Sequence, residues 1–391
     1  MRTRIAALAI PLLLLAACSE QPTAPASSTG GVSAAAGGAP KFWETGAAVA
    51  WNELADRLLA RRPTSAIRVD VYLALAQLRA AEAAEAGTQP HPPISAAIGG
   101  ASVAVLSAFF PLDVAELEAA LDAQEAADPW PGAKHENFAA GEAIGRAIGA
   151  RVNTFAQSDL VGLTDPGTPW VGPGYWIPNG PPLRGLLGAR PFYLSSTDEL
   201  RPVPPPAFGS AEFTAALAEV RQISDTRTAE QVALAQFWHV NQSPVSNAAF
   251  SALARELIVA HRRSDAEAAR IMFLMYSAGW DAAIGCFDAK YTYWLIRPSQ
   301  ADPAITLVVP LPNHPSYPSA HSCVDGAFSG VLQAAFPSER DRLEETAQEA
   351  SESRLYAGLH YRFDKEAGLA LGRAAAAKAV AADLATVAPL P

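Results

Sequence analysis

The sequence predicts an all-α protein: a helical bundle of two packed helical units joined by a long Pro/Trp-rich connection. Three observations carry this. Apolar residues recur at helical spacing through most of the chain, and the alternation of half-buried strands is scarce. Pro and Gly crowd instead into one segment, 163–208, which also holds Trp170, Tyr175, Trp176 and Phe192. An irregular stretch of that length is uncommon inside a compact protein, so it is expected either to hug the surface through its aromatics or to roof a site.

The chain opens with Met1-Arg2-Thr3-Arg4, an apolar run Ile5–Ala17, and Leu15-Ala16-Ala17 before Cys18. A basic start, a short apolar core and small residues before the cut describe an export signal over 1–17. The cysteine after Leu-Ala-Ala is similar to a bacterial lipobox, in which Cys18 becomes the lipidated first residue; the alternative is an ordinary cleaved signal. Both imply export, and the first implies a lipid-anchored protein of the bacterial cell envelope. Residues 18–40, rich in Pro, Ala, Ser, Thr and Gly, bury too little apolar surface to order themselves and read as a linker.

An N-terminal helical unit is expected over 41–160. Trp51, Leu54, Ala55 and Leu58 share a helix face that Pro63 closes, a second helix covers about 66–86, and others fall near 95–109, 113–126 and 134–157. Ile94–Leu112 carries no charge and is just long enough to span a bilayer, but its Gly, Ser and Ala and the acidic segment behind it favour a buried core helix. The connection then occupies 161–210, and a C-terminal catalytic unit 211–391. In that unit Ser264 and Glu267 form a capping box ahead of the apolar stripe Ile271, Leu274, Met275 and Ala278, and the last helix runs from Asp364 to about Thr386.

Lys and Arg number 29 against 39 Asp and Glu, a formal net charge of -10. That balance argues against a nucleic-acid partner, since backbone binding draws on basic surface, and points to a small-molecule substrate. Oligomeric state is not legible. Beyond Cys18 the cysteines are Cys286 and Cys323, which either pair in an oxidising compartment or remain buried thiols.

Within this acidic chain, Lys290 to Asp364 gathers cations in three motifs: Lys290-x6-Arg297-Pro298, Pro318-Ser319-Ala320-His321, and Ser353-Arg354 followed by His360 and Asp364. Lys290 and Arg297, seven residues apart, are read as two turns of one helix face, with Pro298 ending the helix. Pro318 to His321 reads as a helix start, where unpaired amides and the dipole favour an anion. Ser319 adds a hydroxyl donor there, and His321 is placed to exchange a proton. Arg354 can contact oxygens bidentately, and Asp364 can fix the tautomer of His360 and free its other nitrogen for chemistry.

In this order the motifs resemble the signature of the type 2 phosphatidic acid phosphatase and vanadium-dependent haloperoxidase superfamily: Lys-x6-Arg-Pro, Pro-Ser-Gly-His, and Ser-Arg-x5-His-x3-Asp. One specified position departs, Ala320 for Gly, which keeps the amide and loses access to positive φ. The resemblance implies a mostly helical fold in which Lys290, Arg297, Ser319, the Ala320 amide and Arg354 grip a tetrahedral oxyanion. His321 would be the acid/base. His360 would be the vanadium ligand of a haloperoxidase, with vanadate as cofactor and peroxide and halide as substrates, or the phosphohistidine nucleophile of a cofactor-free acid phosphatase acting on phosphomonoesters. The stretch His360-Tyr361-Arg362-Phe363-Asp364, the added N-terminal helices and the Pro/Trp-rich segment resemble the bacterial haloperoxidase-like branch, and His314 falls at its halide-tuning position. A third expectation is an oxyanion-binding lipoprotein without turnover.

Overall fold

The computed structural model describes residues 46–87, 91–127 and 134–384. The signal peptide, Cys18 and the linker to residue 40 lie outside them. Thirteen α-helices occur among the described residues, joined by irregular backbone and two isolated bridges.

The first helices are α1 (Ala47–Arg61), α2 (Ala66–Glu85), α3 (Ile94–Phe109), α4 (Val114–Ala126) and α5 (Lys134–Ala156). Helix α1 stops at Arg61, two residues before Pro63, as a ring without an N–H requires. Helix α3 is 16 residues long and its central residues are buried, which is the core helix the composition favoured; no described helix is long and apolar enough to cross a membrane. It lies against α5 so closely that a Cβ on Gly145 would fall 1.9 Å from the Ala97 carbonyl oxygen, a contact only glycine permits.

The later helices are α6 (Ala211–Thr226), α7 (Ala229–Asn241), α8 (Ala248–Ala260), α9 (Asp265–Tyr293), α10 (Pro298–Ala301), α11 (Ala320–Ala335), α12 (Arg340–Tyr356) and α13 (Arg362–Leu384). The capping box opens α9, with the Ser264 hydroxyl accepting from the Glu267 amide and the Glu267 carboxylate accepting from the Ser264 amide. At 29 residues α9 is the axis of the bundle, packing on α2, α11 and α13. Helices α11 and α13 meet at Gly372, where a Cβ would stand 2.2 Å from the Cys323 carbonyl oxygen.

One hydrophobic core runs through both expected units, joining Trp51 and Tyr72 to Trp280, Phe328 and Leu371. Each such large side chain contributes about 2 kcal/mol of burial, so α1 to α5 share their stabilisation with the helices that carry the motifs. The connection between α5 and α6 is held to this core by α9. Asp281, fully buried and pushed up to about 7 by that burial, accepts from the Phe192 and Tyr193 amides at 2.8 and 2.7 Å, and Trp280 Nε1 donates to the Arg190 carbonyl at 2.9 Å.

Candidate oxyanion site

The connection next straps the end of α9. The Trp176 amide donates to the Trp294 carbonyl at 2.7 Å, the Ile296 amide to Gly174 at 2.9 Å, and Tyr291 and Tyr317 hydroxyls donate to the carbonyls of Leu183 and Val203. Trp294 itself turns left-handed, at φ 51°, which is uncommon for a bulky residue and is fixed here by packing on Trp176 and Tyr291. Helix α9 therefore ends at Tyr293, which corrects the single-helix placement of Lys290 and Arg297. Arg297 is the extended residue before α10, and Pro298 begins that helix, where its missing N–H costs nothing, and does not end α9. The turn still brings both cations inward, each fully buried.

Lys290 spends its three donors on the carbonyls of Pro315, Ser316 and Pro318, at 2.9, 2.8 and 2.5 Å. Burial pulls it down to about 8, and the carbonyls retain it as the clamp of the loop before α11. Arg297 is equally committed. Its Nε donates to the His314 carbonyl at 3.1 Å, Nη1 to the Leu359 carbonyl and to His360 Nε2 at 3.0 Å each, and Nη2 to His314 Nδ1 at 3.0 Å. Since guanidinium only donates, this contact leaves His360 Nε2 bare of hydrogen.

His360 precedes α13 and Asp364 sits in its first turn, so the i,i+4 pair forms across a helix start. Nδ1 of His360 donates to Asp364 Oδ2 at 2.8 Å, and the same oxygen accepts from the Ser316 hydroxyl at 2.5 Å and the Tyr361 amide at 3.2 Å. Burial raises Asp364 to about 6, against the pull of Ser316 and the nearby cations, and burial together with Arg297 and Lys290 keeps His360 well below the usual imidazole range. The imidazole is neutral, with its lone pair turned to Arg297.

The second half of the site lies on α11 and α12. Ser319 is the N-cap of α11, accepting from the Ser322 amide at 3.4 Å, while Ala320 begins the helix. His321 follows within its first turn, held neutral by burial and by Arg354, with the Gln242 and Trp238 carbonyls against it; its Nε2 has no hydrogen-bond partner among the described residues. Arg354, in the last turn of α12, donates through Nε to Ser353 and through Nη2 to the Ala235 carbonyl at 2.7 Å, but its buried Nη1 also lacks a partner. Burial lowers this guanidinium to about 10.

Sequence reasoning missed Ser316, the carbonyls that α7 turns toward His321 and Arg354, and Asp325. Backbone carbonyls leave no trace in composition. Asp325 did leave one: it is an acid four residues beyond His321 and the only Asp, Glu, Lys or Arg on helix α11. Cys286 and Cys323 are free thiols, both buried.

Residues 339–387, which carry Arg354, His360 and Asp364, match the family model described as the VCPO second helical-bundle domain. In structure the chain is similar to a bacterial vanadium-dependent iodoperoxidase, with 24% identity, a TM-score of 0.70, and 85% of this chain and 95% of that one covered. It is also similar to a bacterial vanadium-dependent chloroperoxidase in its apo form, with 13% identity, a TM-score of 0.64 and coverage of 83% and 96%. The holo form of such a chloroperoxidase gives 15% identity, a TM-score of 0.61 and coverage of 83% and 94%. No curated protein matches the chain. The fold is thus the all-α fold of these haloperoxidases.

Proposed function

We propose that the protein is a vanadium-dependent haloperoxidase-like enzyme that holds vanadate in a phosphate-type pocket and oxidises halide with hydrogen peroxide. The observation that carries this is the pairing of a bare, Asp364-oriented His360 Nε2 with two enclosed and unpartnered nitrogens, Nη1 of Arg354 and Nε2 of His321. A tetrahedral oxyanion fits such a set, its central atom meeting the bare His360 Nε2 and its oxygens taking the Arg354 N–H and sharing a proton with His321. Bound there, vanadate supplies Lewis-acid activation of peroxide toward a halide.

The residues divide the work. His360 would be the ligand, its ring fixed by the bond from Nδ1 to Asp364. Arg354, the start of α11 with Ser319 and Ala320, and Arg297 once it lets go of His360, would hold the oxygens. His321, neutral at rest, accepts or returns the proton of an oxygen beside it. His314 orients Arg297 and in that way reaches the anion. The basic start, short apolar run and Cys18 of residues 1–18 support an enzyme exported to the bacterial envelope and tethered through Cys18.

An acid phosphatase would use the same bare Nε2 as its nucleophile. Purified protein is therefore assayed twice, for bromination of a dye by peroxide and bromide after vanadate loading, and for hydrolysis of an aromatic phosphate without vanadium. Bromination is the expected result. Phosphate release that vanadate abolishes, with no halogenation, would establish the phosphatase, and anion binding without either activity would leave a binding lipoprotein.

A further inference from the structure

Asp325 stands out among the buried groups that the proposed chemistry does not use. It is fully buried on α11, and neither carboxyl oxygen has a hydrogen-bond partner among the described residues. An isolated carboxylate in such a place is very costly, and burial pushes this carboxyl well above its ordinary range, toward the protonated form. Position matters as much as state. Asp325 and His321 stand at i and i+4, one above the other on the same face of α11. Arg354 reaches the same space from α12 and is the charged group whose field favours the ionised form of Asp325. On the same helix Cys323 stays a neutral thiol, and from α7 the half-buried His239 faces Arg354 and His321 as a neutral imidazole.

We propose that Asp325 is the internal proton store of the site: when an oxyanion binds beside His321, the carboxyl proton passes to the imidazole and the carboxylate left behind is held by Arg354. One O–H bond breaks and one N–H bond forms, giving carboxylate and imidazolium with no other reactant. Before the anion arrives, both groups are neutral. The anion's charge then stabilises an imidazolium, and Arg354 faces a carboxylate beneath it and an anion beside it. Asp325 touches neither anion nor halide, so it is a positioning residue acting through His321. The proposal rests on the oxyanion site proposed above, but not on which reaction that site performs.

Inorganic phosphate titrated calorimetrically into the full chain at pH 7, in two buffers of different ionisation enthalpy, reads the protons exchanged on binding. Asp325→Asn, which cannot store a proton, is expected to take up about one more proton from solvent than the native protein, and Asp325→Glu to restore the native count. In parallel, the infrared spectrum of the native protein should lose a protonated-carboxyl band when phosphate binds, and that loss should be missing in Asp325→Asn. Phosphate binding with equal proton counts overturns the role of Asp325 and leaves the oxyanion site standing. Absence of phosphate binding overturns both. If Asp325→Asn does not fold, a native difference spectrum with no carboxyl loss is sufficient to reject the proposal.

Discussion

The two sides of the candidate site are built on opposite plans. On the α9–α13 side, Lys290 gives its donors to three carbonyls, and Arg297, His360, Ser316 and Asp364 Oδ2 form a network in which Asp364 Oδ1 alone of these groups' polar atoms has no partner among the described residues. On the α11–α12 side, Arg354 Nη1, His321 Nε2 and both oxygens of Asp325 are enclosed without partners among the described residues. A buried polar atom without a partner costs about 1–3 kcal/mol. Such a cost persists where a ligand supplies the missing contact, so the first side is a pre-set frame and the second side is where the anion's contacts are most needed.

The largest test of this contrast is His360→Ala, the point where frame and ligand meet. We expect turnover to fall by about 10³-fold or more with circular dichroism unchanged; residual activity near native would remove His360 from the chemistry. The sharpest test comes next. Arg354→Met should weaken phosphate or vanadate binding by about 100-fold with modest change in melting. Lys290→Met should lower unfolding free energy, by about 3 kcal/mol, more than it lowers affinity. Equal affinity losses at native stability would make Lys290 an anion contact and break the contrast.

Asp364→Asn should cost about 10–100-fold in activity, because the amide no longer fixes the His360 tautomer as a charged acceptor. Its stability effect has the opposite sign. The folded carboxyl titrates near 6, above its ordinary 3.8, so its contribution is fully present below 3.8 and is lost as pH rises through about 6. The variant should therefore be the more stable protein at pH 8 in denaturant titrations, and the native protein should gain relative to it at pH 4. A smaller effect is expected from His314→Ala, which removes one partner of Arg297 and should weaken anion binding about fivefold. Smallest of all, dithiothreitol should leave the melting curve unchanged, because Cys286 and Cys323 are thiols behind the framed side; a clear drop would mean that they pair.

Much of this was legible in advance. The helices α1 to α5 follow apolar spacing closed by Pro63 and by loops, and the start of α9 follows from Ser264 and Glu267, because caps and periodicity are local. Arg297 was misplaced because nothing local announces a left-handed Trp294. That turn is imposed by Trp176 and Gly174, more than 100 residues away in sequence, pairing with the chain after α9. The 163–208 segment could be recognised as unusual, but which residues it covers depends on contacts with Tyr291, Tyr317 and Asn313 that composition does not encode.

By itself the sequence determined the helical class and pointed to a set of side chains proposed to meet an oxyanion, since periodicity and residue types at fixed spacing are local. Tertiary structure alone decided how those side chains are spent. Each donor turns to whichever acceptor the packing brings within about 3 Å. Three carbonyls surround Lys290, His360 and His314 engage Arg297, and Arg354 Nη1 and His321 Nε2 have no partner among the described residues. Hydrogen-bond saturation is a property of neighbours in space, and for these residues the deciding neighbours come from α7, α11 and the loop before it.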